Sequence, residues 1–590
     1  MVRSYFAVGP ALAIIHAQPL PHDHHQQSVT DIILNHRADS QVEFLLEAFA
    51  QPPVDLWFEG QLLDHTDATN NKTWKQRYHV NKDYFGGANS PVFLYINGEG
   101  AADASTPSSP NFFMNELAQK YKAIIVSLEH RFYGSSQPTG DLTLESLKYL
   151  TMGQALADIA SFQDYFIGQN HLTKSNPWIA IGGSYPGMLS GLVKAKYPTR
   201  FAGSIASSAP LNTKIDFFEY ADIVAKDLQT YGGDACVKTI GDGLTALNAL
   251  VASNNPSDWA SLNRLFKVCL PPTGGNPFQD DYDRAAFQVN VLSNFRNVAQ
   301  TNGFFPYTMA GVCQDFAKNA SATPLEKLSA FSQQQWGWDA YPCISFTYNW
   351  QFVTSYQDTT PNPSLSTRQW TYQQCNEFGY GQATATGKSI FNALKYLTVD
   401  TAYSETCKRL FGITNTSDRI AATTKTYGGL KVNVSNVIWV TGDVDPWSGL
   451  ALTNTTKPVN SNSDVVYVPG ASHCADLFSR AFNIVPGWTH DRIDNNVAKF
   501  LATMTTVAPT PAPTRAPTPS PTRAPAPTPF NTLSPSATKT PVTKAPVTKA
   551  PVPDQCEGNT KTCFWPSNHA SLPYNEADCK SFGSLFLWCP

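Results

Sequence analysis

Four short runs of the chain are built almost wholly from apolar and small residues: "VFLYI" (92–96), "AIIVSL" (123–128), "WIAIGG" (178–183) and "AGSIASSAP" (202–210). A strand with one wet face alternates in polarity, so runs of this kind predict strands covered on both faces, as in a parallel sheet. Between the second and third lies "TMGQALADIASFQDYF", in which Met152, Leu156, Ile159, Phe162 and Phe166 recur at helical spacing. Thr151 and Gln154 stand at its start as a capping box. Strand, helix and strand in this order predict a doubly wound, mostly parallel α/β sheet.

The pattern changes after residue 211. Residues 212–429 are mixed and rich in helix-like stretches such as "DFFEYADIVAKDL", whereas strand signals return at "NVIWVTGD" (436–443) and "DVVYVPG" (464–470). Two late strands are too few to bury themselves. The expectation is therefore one α/β core, residues 51–211 and 430–504, interrupted by a helical lid at 212–429.

The third apolar run breaks off into "GGSYPG". Gly182 and Gly183 leave room for a turn so tight that Cβ atoms would meet the backbone, and such a turn lifts the Ser184 hydroxyl to the open edge of the sheet. The following stretch, "MLSGLVKAKYP", predicts a helix whose N-terminal N–H groups and dipole point at an oxyanion formed there. Pro186 suits its first turn. The main-chain N–H of Tyr185 is the first candidate oxyanion donor, and the loop "NGEGA" (97–101) supplies Gly98 and Glu99 as second candidates. Glycine-serine corners also occur as ordinary tight turns.

A serine hydroxyl needs a base, and the base needs a carboxylate to hold its tautomer. Asp443 and Asp445 in "TGDVDPWSG" and His473 in "VPGASHCADL" both follow late strands, at the edge where Ser184 emerges. The order Ser, Asp, His is that of α/β-hydrolases. Taken singly, an Asp before Pro is a turn and a loop His a solvated side chain; placement in order at three strand ends argues for a triad.

The stretches "LDHTDATNNKTWKQRY", "NGEGA", "SLEHRFYG", "QALADIASF", "GGSYPG", "SSAPL", "DFFEYADIV", "RQWTYQQCNEFGY", "GDVDPWSG" and "GASHCADL" run in order from about residue 55 to 500. They resemble the prolyl carboxypeptidase and dipeptidyl peptidase II family of serine exopeptidases. The resemblance implies an α/β-hydrolase core under a helical lid, with Ser184 as nucleophile, Asp445 as orienting acid (Asp443 in reserve) and His473 as general base. It also implies cleavage on the carboxyl side of proline near a peptide end, with proline-containing peptides as substrates, no cofactor and no metal. By the same likeness Cys236 pairs with Cys313, Cys269 with Cys343, and Cys375 with Cys407, which leaves Cys474 beside His473 as a buried free thiol or, on the other reading, a redox switch. Glu129, His130 and Arg131 in "SLEHRFYG" either shape the substrate site or form a packed ion pair.

The termini bear on compartment. Arg3, an apolar stretch from Tyr5 to Ile15 and Ala17 read as a secretory signal (1–17), too short to span a bilayer as an anchor. A flexible pro-segment (18–50) follows; its His22, His24 and His25 lack the scaffold that a metal site needs. Sequons at Asn71, Asn319, Asn415, Asn433 and Asn454 and the 11 cysteines agree with export, to the extracellular space or a lysosome-like compartment. Residues 505–555 reduce to Pro, Thr, Ala and Ser with a few cations, an extended linker that cannot bury a core. A cystine module closes the chain (556–590). Its Phe564, Trp565, Tyr574, Phe586 and Trp588 either stack on a glycan or cell-wall ligand or form the module's own small core. A net charge of -4 with 15% charged residues gives no argument for nucleic-acid binding, so no nucleic-acid partner is expected, and no further segment is apolar enough to span a membrane.

Two other functions share this pattern. A serine esterase or lipase would hydrolyse acyl esters without proline selectivity, and an inactive hydrolase-like adhesion protein would not react with a fluorophosphonate.

Overall fold

The computed structural model describes residues 54–336, 343–456 and 458–505, together with the backbone of three short strands near the C-terminus. The expected signal (1–17), pro-segment (18–50), the linker beyond 505 and most of the cystine module lie outside the described residues.

The first unit, which ends at Thr510, is built on an eight-stranded sheet. Its strands are β1 (Leu56–Leu62), β2 (Thr73–Asn81), β3 (Val92–Ile96), β4 (Ile124–Leu128), β5 (Trp178–Gly183), β6 (Gly203–Ser207), β9 (Val437–Gly442) and β10 (Asp464–Val468). The short strands β7 (Lys214–Asp216) and β8 (Gly379–Gly381) pair separately, in parallel. The order across the large sheet is β1-β2-β4-β3-β5-β6-β9-β10. β1 and β2 are antiparallel to their neighbours, and every pairing from β4 through β10 is parallel. This is the α/β-hydrolase architecture.

Every residue of β3, β4, β5, β6 and β9 is buried. Alternate side chains enter two cores. Phe93, Ile125, Ile179, Ile181, Ile205 and Val440 meet the helices Phe113–Tyr121 and Gly487–Thr505 on one face. Leu94, Val126, Ala180 and Trp439 meet the helices Met152–Gln169 and Tyr185–Lys196 on the other.

The capping box at Thr151 is only half formed. Thr151 accepts the Gln154 N–H at 3.3 Å, but the Gln154 side chain binds Asp64 and the His65 N–H instead of turning back. The Met152 N–H is capped from the insertion by Glu377, whose carboxylate oxygens lie at 2.9 and 3.1 Å. A carboxylate from a different element thus satisfies another free N–H of the first turn.

Between β6 and β9 comes a helical insertion, including Glu219–Ala252, Asp281–Gln300, Met309–Ala317 and Thr416–Tyr427. The first of these breaks direction at Gly233, where φ is +66°. Disulfides join Cys236 to Cys313, Cys269 to Cys343 and Cys375 to Cys407. Among the described residues no helix is long and apolar enough to cross a membrane.

The C-terminal unit (511–590) contains β11 (Thr562–Trp565), paired antiparallel with β12 (Ala570–Leu572) and β13 (Leu587–Cys589).

Candidate active site

β5 ends in a turn that few sequences could follow. Ser184 adopts φ +62° and ψ −131°, a conformation that strains any residue with a side chain. The turn closes so tightly that a Cβ on Gly182 would stand 2.3 Å from the Pro186 carbonyl oxygen, and one on Gly187 2.3 Å from that of Ser207. Tyr185–Lys196 starts at once, with Pro186 in its first turn. The "NGEGA" loop after β3 lies directly on this turn: a Cβ on Gly98 would meet the Pro186 ring at 2.4 Å. The expected second oxyanion loop is therefore packed against the serine turn.

The same edge of the sheet carries the other two residues. Ser184 N–H bonds the Ser207 carbonyl at 2.9 Å, Ser208 N–H bonds Val440 at 2.7 Å, and Ser208 Oγ accepts the Cys474 N–H at 2.9 Å. The ends of β5, β6 and β9 are thereby stitched to the loop after β10.

Asp445, fully buried, lies within 2.9 Å of His473 Nδ1 through either carboxylate oxygen, and its Oδ1 also accepts the Trp447 N–H at 2.9 Å. Asp443 is turned away and accepts the Gly470 N–H. The carboxylate brought to the imidazole is thus that of Asp445. His473 Nε2 is buried without a hydrogen-bond partner among the described residues. Burial pulls the His473 pKa down, but the Asp445 carboxylate and the Cys474 sulfur push it up, and the net shift is upward. Cys474 itself is fully buried and not in a disulfide.

The residues of "SLEHRFYG" divide. Arg131 is paired with Asp158 through two bonds of 2.6 Å, and Glu129 with Arg77 at 2.5 Å, so both serve packing. His130 faces the site: its Nδ1 lies 2.8 Å from the Arg131 carbonyl and its Nε2 2.9 Å from the Tyr185 hydroxyl. Burial holds its pKa down at about 4, so the ring is neutral. A neutral ring that donates from Nδ1 must accept at Nε2, which makes Tyr185 O–H the donor. Gln373 Nε2 also donates to this oxygen at 3.1 Å. The residue after the serine is held from both sides. Glu99 lies close enough to Tyr133, Tyr185 and Tyr380 to help raise their phenol pKa values, behind burial as the main cause.

Aromatic rings connect the two ends of the site. Tyr185 packs on Phe378 (5.2 Å between centroids), Phe378 stacks on Tyr380 (5.8 Å), Tyr380 meets Trp447 edge-on (5.4 Å), and Trp447 lies 6.1 Å from His473. Phe217 and Tyr220 of the insertion complete the setting of Trp447.

Gln300, at the end of the helix Asp281–Gln300, was not legible from sequence pattern. Its carbonyl accepts the His473 N–H at 3.3 Å, and its Oε1 accepts from the Tyr220 hydroxyl (2.8 Å) and the Trp447 indole (3.2 Å). No local signal marks it, because its three partners lie far away in the chain.

Among the described residues no group of three or more His, Cys, Asp or Glu side chains is arranged to hold a metal ion. The five sequon asparagines, Asn71, Asn319, Asn415, Asn433 and Asn454, are all exposed.

Comparison with known proteins places these features in a family. The model of the serine carboxypeptidase S28 family matches residues 61–489. The chain is 31% identical to thymus-specific serine protease of Mus musculus over 437 residues, covering 72% of this chain and 82% of the relative. It is 27% identical to lysosomal Pro-X carboxypeptidase of Bos taurus over 460 residues, covering 75% and 87%. Among solved structures, proline iminopeptidase of Mycobacterium smegmatis aligns over 73% of this chain and 95% of its own, at 12% identity and a TM-score of 0.27. The chain belongs to the serine carboxypeptidase S28 family and is a serine-type peptidase.

Proposed function

We propose that this protein is a secreted exopeptidase that cleaves on the carboxyl side of proline near a peptide end, with Ser184, His473 and Asp445 as its triad. The observation that carries the triad is the His473 imidazole, held at Nδ1 by Asp445 and with its Nε2 buried and without a hydrogen-bond partner among the described residues. With the Nδ1 proton committed to the carboxylate, Nε2 is the only ring atom able to accept a proton. It takes the Ser184 proton as Oγ attacks the scissile carbonyl, and returns it to the leaving amine. The Tyr185 N–H at the helix start, with the Gly98–Glu99 loop, receives the oxyanion. Water then cleaves the acyl-enzyme by the same route in reverse.

The proline preference rests on the relative whose name specifies Pro-X cleavage. Restriction to chain ends follows if the helical insertion acts as a lid over this site.

The test is labelling by a fluorophosphonate followed by one digest. The wild-type chain should be labelled and the Ser184→Ala chain not. Proline peptides blocked at the N-terminus alone should be cut by a carboxypeptidase, and those blocked at the C-terminus alone by an aminodipeptidase. Labelling that survives in Ser184→Ala would remove the triad, and cleavage indifferent to proline would remove the specificity.

A further inference from the structure

The insertion does more than lie beside the reacting groups, because its residues are bonded to the loops that carry them. The segment at the end of the helix Asp281–Gln300 brackets the His473 loop from one side. Gln300 O accepts the His473 N–H, Asn302 O accepts the Ser472 hydroxyl at 2.7 Å, and Phe304 stacks on Phe478 at 4.5 Å. The Gln300 side chain reaches the neighbouring Asp445 loop through Trp447. An indole N–H can only donate, which fixes the amide oxygen on this side, and the same oxygen takes the Tyr220 O–H.

We infer that Gln300 is a positioning residue of the catalytic apparatus, holding Trp447, and through it Asp445 and His473, in register with the serine turn. The inference rests on the triad proposed above. Trp447 is the link because it touches both groups: its main-chain N–H bonds Asp445 Oδ1 and its ring packs beside His473. It is almost wholly buried. If Gln300 loses its oxygen, the indole N–H is left unpaired, a penalty that the ring relieves by moving. Movement of about 1 Å at a reacting centre is enough to lower a rate on the order of 100-fold. Gln300 itself need not touch substrate.

The experiment uses the full chain and the second-order rate of fluorophosphonate labelling. In that reaction the Ser184 Oγ–P bond forms, the P–F bond breaks, fluoride leaves and the serine proton passes to His473 Nε2. Gln300→Met keeps the length of the side chain and removes the acceptor; the rate should fall roughly 10- to 100-fold. Gln300→Glu restores an acceptor oxygen and should return the rate to within about threefold of wild type. Trp447→Phe should be slow, and the double variant Gln300→Met/Trp447→Phe no slower than Trp447→Phe alone, since the two act through one bond. A wild-type rate in Gln300→Met, a Gln300→Glu chain as slow as Gln300→Met, or losses that multiply in the double variant would each overturn the role. Should Gln300→Met not accumulate as folded protein, Tyr220→Phe combined with Trp447→Phe removes both donors with Gln300 in place. The pair should then be slow beside Gln300→Glu, and a wild-type rate in the pair overturns the role equally. A wild-type chain that is never labelled, or a Ser184→Ala chain that is, ends the triad reading and this role with it, an outcome distinct from a failure at Gln300 alone.

Discussion

Asp227 lies on the insertion helix Glu219–Ala252, buried close to the loop that carries Asp443 and Asp445, with its Oδ2 without a hydrogen-bond partner among the described residues. Burial raises its pKa to about 9; Lys226 opposes the shift, and the carboxylates of Asp443 and Asp445 add to it. The sign of the consequence follows from which state holds the proton. In the folded protein Asp227 keeps its proton where the unfolded chain has lost it, so the contribution to stability is complete below about pH 4 and drains away as pH rises toward 9. Asp476, raised to about 6 by burial, acts in the same direction over a narrower window. An Asn at 227 imitates the neutral acid at every pH. Asp227→Asn should therefore match wild type near pH 4 and exceed it at pH 8 by at least about 1 kcal/mol, read by denaturant unfolding at both values. A difference between the two proteins that does not change with pH would mean that Asp227 carries no such proton.

At the scale of elements, the serine turn tolerates little change. Gly187→Ala would force a methyl group to 2.3 Å from the Ser207 carbonyl oxygen, a backbone atom that cannot step aside without moving β6. The expected cost is about 2 kcal/mol or more, with fluorophosphonate labelling lost in the protein that remains folded; a variant labelled at the wild-type rate would show that the turn has slack. The sequence marks this turn because its requirements are local: small residues, a proline and an apolar strand before them. The same holds for β3, β4, β5, β6 and β9, whose two buried faces write continuous apolar runs. β1 is harder to read, since it is half exposed and its register shifts between Phe58 and Gln61, which breaks any period of two. The helix Asp281–Gln300 is buried around most of its circumference and carries Asn290, Ser293 and Asn294 inside, so no apolar stripe announces it. Periodicity does not separate Asp445 from Asp443, because both follow the same strand; the family resemblance is what singles out Asp445, and the hydrogen bonds to His473 are made by it. Glu377 and Gln300 were silent for a deeper reason: their partners, Met152 and His473, lie in other elements more than a hundred residues away.

For the molecule as a whole, the insertion and the sheet share the work of holding His473. The Cys236–Cys313 disulfide joins the helix Glu219–Ala252 to the helix Met309–Ala317 across 77 residues. At the start of the second helix the Met309 N–H is held by Asn302 Oδ1 at 2.9 Å, and the carbonyl of that same asparagine holds Ser472, next to His473. A cross-link of this span stabilises by about 2–5 kcal/mol, mostly through the unfolded chain. Its loss should be felt first in the insertion, where the constraint acts, while the sheet keeps its own doubly covered core. The paired variant Cys236→Ser/Cys313→Ser should accordingly lose fluorophosphonate labelling at a temperature several degrees below that at which its strand signal melts, whereas the two losses should coincide in the wild-type chain. Coincident losses in both proteins would mean that insertion and sheet unfold as one cooperative body, and that the path from the disulfide through Asn302 to His473 transmits nothing of its own.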